Sequence, residues 1–312
     1  MVANNCNSDA RCGLEVSTEF HNHVCAHIPP HPSPAMIVLL VPCVGLLANG
    51  RAPVSSARPA ILSTSRRHFC EALSAALLLP QQAALAEDDS PMKLYFGAGC
   101  FWHVQHELVL AEKELLGRSG ADITAVTGYA GGRAVATGKL AGPANAKVCY
   151  HNPQGIADYG KLGHAEAVQV TVPKAKVEAF AEKYFALFGS MGIRHDPQDR
   201  GGEYRSVLGL PGGEASPLFA SIKQVAAQSP MKLVGGSGDE DDTLGARSVL
   251  VYDSEAFPFY PAELYHQFHN DFQGPRYGKS YNDLLPTLYK AGKLETVGCP
   301  DMNPADIVQG KV

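Results

Sequence analysis

Residues 92–116 read MKLYFGAGCFWHVQHELVLAEKELL, and this stretch decides the fold. Residues 92–98 are predicted as a strand running into Gly97 and Gly99. From there Val104, Leu108, Ala111 and Leu115 recur at helical spacing, so an amphipathic helix is predicted over Phe101–Leu116. Gly117 and Gly120 end it. Cys100 stands at the junction of strand and helix. A thiol at a helix N-terminus has a lowered pKa, because unpaired N–H groups and the macrodipole favour its thiolate, and the thiolate is the nucleophile. Small residues on its N-terminal side let a substrate or another backbone approach. Phe101 and Trp102 suit the walls of a small apolar pocket better than they suit a first helical turn.

Working outward, Ile123–Tyr129 reads as a strand stopped by Gly131 and Gly132. A long Gly- and Pro-containing connection follows to Gly163, and long loops in compact domains are often functional. Ala167–Val172 alternates as a strand. Val177, Phe180, Tyr184, Leu187 and Phe188 mark a second helix, and Tyr204–Leu210 a further strand. The order strand, helix, strand, strand, helix, strand is the split β-α-β pattern. The expected fold is therefore α+β, a ferredoxin-like sandwich with an irregular C-terminal extension. In that extension Pro217–Gln228 and Pro261–Phe272 are predicted helices and Arg247–Tyr252 a strand. The acidic run Asp239–Asp242 reads as a solvated turn.

A formal net charge of -5, with no basic face in the pattern, argues against a nucleic-acid binder. Of the eight cysteines, five fall within the first 70 residues. The other three (Cys100, Cys149 and Cys299) are widely spaced and odd in number, which suggests reactive thiols more than a disulfide framework.

Residues 1–86 read as a targeting region outside the fold, and 87–312 as one domain with a C-terminal tail. Between Phe20 and Cys70 there is no Asp or Glu, and the stretch is rich in Ser, Ala, Pro and His, as in organellar transit peptides. The apolar run Met36–Ala48 is too short to span a bilayer and fits a signal-peptide h-region. Ser65-Arg66-Arg67-His68-Phe69, the apolar Ala72–Leu79 and Ala84-Leu85-Ala86 then make a twin-arginine signal with an A-x-A site. This layering resembles that of thylakoid-lumen proteins, so a plastid address is expected, with a bacterial periplasm as the alternative. No stable membrane insertion of the mature chain is expected.

Gly-Cys-Phe-Trp after a strand resembles the A-type peptide methionine sulfoxide reductases. So do Gly128–Gly132, Val148-Cys149, Gly163-His164-Ala165-Glu166, His195-Asp196-Pro197, Tyr204-Arg205-Ser206 and Tyr265-His266-Gln267, the last resembling the family's C-terminal helix. The resemblance implies reduction of the S epimer of methionine sulfoxide in proteins or peptides, without a metal or other cofactor. It implies Cys100 as nucleophile and Glu166 as a neutral carboxylic acid at the sulfoxide oxygen. Tyr204 would give a second hydrogen bond, and Asp199 would orient the cysteine region through water or backbone groups. Phe101 and Trp102 would hold the methyl on sulfur. Attack leaves a sulfenic acid on Cys100. Cys299 on the tail, or its rival Cys149, would resolve it, and a thioredoxin-like reductant would recycle the pair. The family's first active-site tyrosine appears here as Asn145, and Tyr159 takes over its role ahead of Tyr150. The segment Gly201–Glu203 is shorter than the family's polar run, so Asp199 is placed by counting back from Tyr204.

Two other readings stand beside this one. A cysteine hydrolase would use Cys100 with His164 and Asp199, although His164 is favoured as a structural histidine. A metal-binding module would use Cys100, His103 and His106 on one helical face.

Overall fold

The computed structural model describes residues 88–301, and the predicted targeting region lies outside them. Its centre follows the predicted order: β1 (Pro91–Gly97), α1 (Phe101–Leu116), β2 (Val126–Ala130), β3 (Ala165–Pro173), α2 (Val177–Phe185) and β4 (Val207–Leu210). These strands lie in the order β4-β1-β3-β2, and every neighbouring pair is antiparallel. Each helix carries the chain past one intervening strand, which is the split β-α-β arrangement.

Beyond β4 come α3 (Phe219–Ala226), β5 (Lys232–Gly235), β6 (Ser248–Asp253), β7 (Tyr260–Pro261), α4 (Lys279–Asn282) and α5 (Leu284–Lys290). β6 adds parallel to β4 and β5 parallel to β6, while β7 adds antiparallel to β2. The result is one mixed seven-stranded sheet. No helix among the described residues is long and apolar enough to cross a membrane.

Side-chain alternation fixes which face the helices cover. Leu94 and Phe96 of β1, with Val168, Val170 and Val172 of β3, join Val104 and Leu108 of α1 and Phe180 and Tyr184 of α2 in the main core. Tyr95, Ala165, Ala167 and Val207 face the other way, into a smaller core with Tyr252 and Phe257. Glu166 has the parity of Val168, so this carboxyl points into the helix-covered face, where α1 begins. Gly97 makes that approach possible, because a Cβ there would lie 2.5 Å from the Glu166 carbonyl oxygen.

The predicted helix over Pro261–Phe272 does not form. β7 takes its first residue, a short 3-10 turn covers Leu264–His266, and the rest is irregular. The reason lies at the free edge of β2. The Ala262 N–H donates to the Thr127 carbonyl at 2.9 Å. The Gln267 side-chain amide then accepts from the Thr127 N–H and donates to the same carbonyl, both at 3.0 Å. One glutamine side chain thus substitutes for a strand residue at the sheet edge. Gln105 completes the arrangement from α1, accepting from the Phe268 N–H at 2.7 Å. Other differences are smaller: β4 starts at Val207 after a 3-10 turn over Gly202–Tyr204, and β5, α4 and α5 lie in stretches without a predicted element.

Glu112 locks the far end of α1. Its buried carboxylate accepts from the Thr124 and Ala125 N–H groups at 3.0 Å and from Arg118 Nη1 at 2.6 Å. Removing it would leave those buried donors without acceptors. Glu112→Ala should therefore cost about 3 kcal/mol or more, the range for breaking a buried ion pair. Urea unfolding measures it, and a loss near that of an exposed pair, below about 1 kcal/mol, would show the clamp to be dispensable.

Candidate active site

Two carboxylates converge on the first turn of α1. The Cys100 N–H donates to Asp199 Oδ2 at 3.2 Å, and the Phe101 N–H to Glu166 Oε2 at 2.8 Å. These are orphan donors of a helix start, and both are capped from outside the helix. Asp199 is thus where the count back from Tyr204 places it, bonded directly to the cysteine backbone.

Burial works against one sequence expectation. Desolvation first, then the Glu166 carboxyl, pushes the Cys100 thiol well above its ordinary range, so the resting group is a thiol. The Cys100 and Phe101 N–H groups are engaged by acids, while the Trp102 N–H still favours the thiolate and is outweighed. Glu166 is itself displaced upward, to about 8, chiefly by burial, with the Phe101 N–H opposing. Near neutral pH it is mostly a carboxylic acid, able to donate a proton or a hydrogen bond.

Tyrosines surround this acid. The Tyr159 hydroxyl donates to Glu166 Oε1 at 3.4 Å. Its ring is fully buried and stacks on Tyr129 at 4.7 Å and on Tyr150 at 5.7 Å. Tyr150 and Tyr204 are half-buried, and both feel the charges of Glu166 and Cys100. Tyr159 is thus the tyrosine whose hydroxyl bonds Glu166, while Tyr150 and Tyr204 are the more exposed of the three.

The apolar wall is as expected in its first two members and longer than expected beyond them. Phe101 and Trp102 are buried, their rings 6.2 Å apart. The irregular segment after β7 extends the wall. His266 lies 5.3 Å from Phe101, and His269 stacks on Trp102 at 4.2 Å. Phe272, 82% exposed, meets the Trp102 edge at 5.1 Å. Burial holds His266 down to about 3, so its ring stays neutral and behaves as wall.

Arg194 is the member that sequence reasoning missed. It is buried, and its guanidinium donates to the Asp199 and Tyr204 carbonyls and to Asp242 Oδ1. It ties the segment from Asp199 to Tyr204 to the loop of Asp242. The only sequence hint was the nearby acidic run Asp239–Asp242, read as a solvated turn. Two of its residues instead make structural bonds, Asp242 to Arg194 and Glu240 as acceptor of the Tyr252 hydroxyl.

The sequence profile of peptide methionine sulfoxide reductase matches residues 92–285. The chain belongs to this family. A peptide methionine sulfoxide reductase of Geobacter metallireducens is 29% identical over 197 residues, covering 60% of this chain and 96% of its own. One from Methanoculleus marisnigri is 28% identical over 192 residues, 59% of this chain and 91% of its own. Among solved structures, methionine sulfoxide reductase A of Corynebacterium diphtheriae aligns with a TM-score of 0.34 and 18% identity, over 61% of this chain and 77% of that one.

The matched span holds Cys100, Cys149, Glu166, Asp199 and Tyr204, whereas Cys299 falls beyond it. The structure joins the two rival resolving thiols to each other. Cys149 and Cys299 form a disulfide across 150 residues, leaving Cys100 as the free cysteine among the described residues. The two cysteines expected as rival resolving thiols are thus partners in one bond.

His164 is engaged on both ring nitrogens. Nδ1 accepts from the Gly132 N–H at 3.2 Å, and Nε2 donates to the Ala134 carbonyl at 2.8 Å. With neither nitrogen free, His164 cannot be the base that the hydrolase reading needs.

The metal reading fares no better geometrically. Cys100, His103 and His106 are not among the three groups of the described residues whose donor atoms gather within 4.8 Å. One group is Cys149, Glu263 and Cys299, where the disulfide already joins the sulfurs. In the second, the His103 and His195 rings stack at 3.9 Å and 11°, so their lone pairs run side by side, and His195 pairs with Asp271 at 3.2 Å. In the third, the His151 ring stands between Asp158 and Glu203.

The raised Glu166 pKa makes a signed prediction. The folded chain holds a proton that the unfolded chain gives up at lower pH. This share of stability is complete below about 4.5 and is lost as pH rises through about 8. Urea unfolding across that window should show stability falling as pH rises, and Glu166→Gln should flatten the fall. An equal fall in both proteins would locate the titrating group elsewhere.

Proposed function

We propose that the chain is a peptide-methionine (S)-S-oxide reductase that repairs oxidised methionine with Cys100 as nucleophile. The observation that carries this reading is a buried, largely neutral Glu166 bonded to the N–H beside Cys100, with the buried rings of Phe101 and Trp102 next to it in the helix start. The apolar wall accepts the methyl on sulfur. Tyr150 and Tyr204 give the sulfoxide oxygen hydrogen bonds from the open side, while Tyr159 holds Glu166 from behind. Asp199 orients the Cys100 backbone.

As Cys100 attacks the sulfoxide sulfur, Glu166 gives its proton to the departing oxygen and takes up the charge. The sulfoxide S–O bond breaks as the Cys100 sulfur bonds to the substrate sulfur, and the proton of the resting thiol completes the departing water. That water adds to the Cys100 sulfur, the S–S bond breaks with its electrons on the substrate sulfur, and a thioether and a Cys100 sulfenic acid result, the proton released returning Glu166 to its acid form. A second thiol then condenses with the sulfenic acid, releasing water and forming a disulfide. Cys149 and Cys299 serve here only after their own bond has been opened. A thioredoxin-type dithiol is the matching reductant, and their disulfide is the oxidised form it would receive.

For the compartment, we propose the thylakoid lumen of a plastid, with a bacterial periplasm as the alternative. The twin-arginine segment and the acid-free stretch before it support this reading.

Consumption of the two epimers of a methionine sulfoxide peptide by the full chain, with dithiothreitol as reductant, tests the activity. The S epimer should be consumed alone, and Cys100→Ser should abolish its loss. Glu166→Gln should slow the first turnover by about 100-fold or more, the usual worth of a general acid. Cys299→Ser should stop after one turnover when a thioredoxin replaces dithiothreitol. Consumption of neither epimer by folded protein would sink the assignment.

A further inference from the structure

Three tyrosines lie within electrostatic reach of Glu166, and each adjoins a residue of one polar cluster. His151 follows Tyr150, Asp158 precedes Tyr159, and Glu203 precedes Tyr204. The cluster is bonded through a single imidazole: His151 Nδ1 lies 3.0 Å from Asp158 Oδ2, and Nε2 lies 3.1 Å from Glu203 Oε2. An ionised carboxylate only accepts hydrogen bonds, so both bonds together require both ring nitrogens to donate, which is the imidazolium. The same ring leans on Tyr150 at 5.3 Å and on Tyr159 at 4.8 Å. Glu203 reaches the cluster across Gly160, where a Cβ would fall 1.6 Å from its carboxylate oxygen. Any side chain at position 160 would push Glu203 away.

We infer that His151 is a positioning residue, whose imidazolium ties the segments carrying Tyr150 and Tyr159 to the turn carrying Tyr204. The inference rests on the reductase reading for its catalytic consequence but on hydrogen bonds alone for the tie itself. His151 touches no reacting atom. It acts by setting the separation of three hydroxyl-bearing rings that the chain delivers from two different loops.

The tie depends on pH. Burial opposes the charge on His151, but the bonds to Asp158 and Glu203 outweigh it and hold the ring above its usual range. Asp158 also accepts from the Lys161 N–H at 3.2 Å, and Glu263 and Asp301 line the neighbouring cavity beside Tyr150. While both carboxylates are ionised, the tie is complete below the His151 pKa, and it is lost as pH rises through that pKa.

The test uses the full chain and two readouts. The first is NMR of the His151 ring and of the Tyr150, Tyr159 and Tyr204 rings across pH, in wild type and in Glu203→Gln. His151 should titrate above the free-histidine value of about 6.5, the tyrosine signals should move with the same midpoint, and Glu203→Gln should lower that midpoint. The second is the single-turnover rate on the S-sulfoxide peptide for wild type and His151→Phe. Their ratio should be about tenfold near pH 6, short of the ~100-fold that a 1 Å misplacement can cost, and should approach one near pH 9. Both proteins keep Glu166, so its own titration cancels in the ratio. A ratio that stays constant with pH, or tyrosine signals that ignore the His151 titration, would overturn the tie. If wild type reduced neither epimer, the reductase reading would fail and the NMR titration alone would decide the tie.

Discussion

The hydrogen bond from the Phe101 N–H to Glu166 joins the two halves of this molecule's logic. It connects the first turn of α1 to the end of β3 that lies beneath it, at 2.8 Å and out of contact with water. Strand parity puts the carboxyl there, because Glu166 shares a face with Val168 and Val170. Helix geometry puts the N–H there, because a helix begins with donors that have no partner of their own. A fold of this kind buries an acid only where such a donor awaits it. The same junction carries Cys100, so the position of the thiol and the chemical state of the acid are set by one contact.

This arrangement inverts the usual way of preparing a cysteine. A thiol at a bare helix start would be poised as a thiolate at all times. Here the carboxyls of Asp199 and Glu166 occupy the Cys100 and Phe101 donors, and burial outweighs the remaining help of the Trp102 N–H and keeps the sulfur protonated. A resting thiol is a poor target for oxidants, since oxidation follows thiolate character and exposure. The buried neutral histidine His266 packs against Phe101 and Trp102 without adding charge.

What the sequence made legible follows from how local each signal is. The strand-to-helix passage at 92–116 is written in alternation and in 3.6-residue spacing, and α1 spans Phe101–Leu116 as its periodicity predicts. Cys100, Glu166 and Asp199 could be picked out as candidates because each sits in or beside a short contiguous motif, and the structure brings them together at the start of α1. The segment after β7 was not. Its apolar spacing suits a helix, yet Gln267 and Phe268 are held by Thr127 and Gln105, partners more than 100 residues away in the chain. Arg194 escaped for the same reason, since a buried guanidinium between two loops has no periodic signature. The disulfide was illegible because cysteine counting gives no distance, and the two ends lie 150 residues apart.

That long closure has a thermodynamic side. A covalent link between Cys149 and Cys299 removes the freedom of a very large ring from the unfolded chain, worth about 5 kcal/mol in the chain-entropy account. A domain of ordinary size has only about 5–15 kcal/mol of net stability. An enzyme that opened this bond during each cycle would alternate between a well-tethered and a markedly looser state of the same fold. The redox poise of its compartment would then govern how long the protein survives as well as how fast it works.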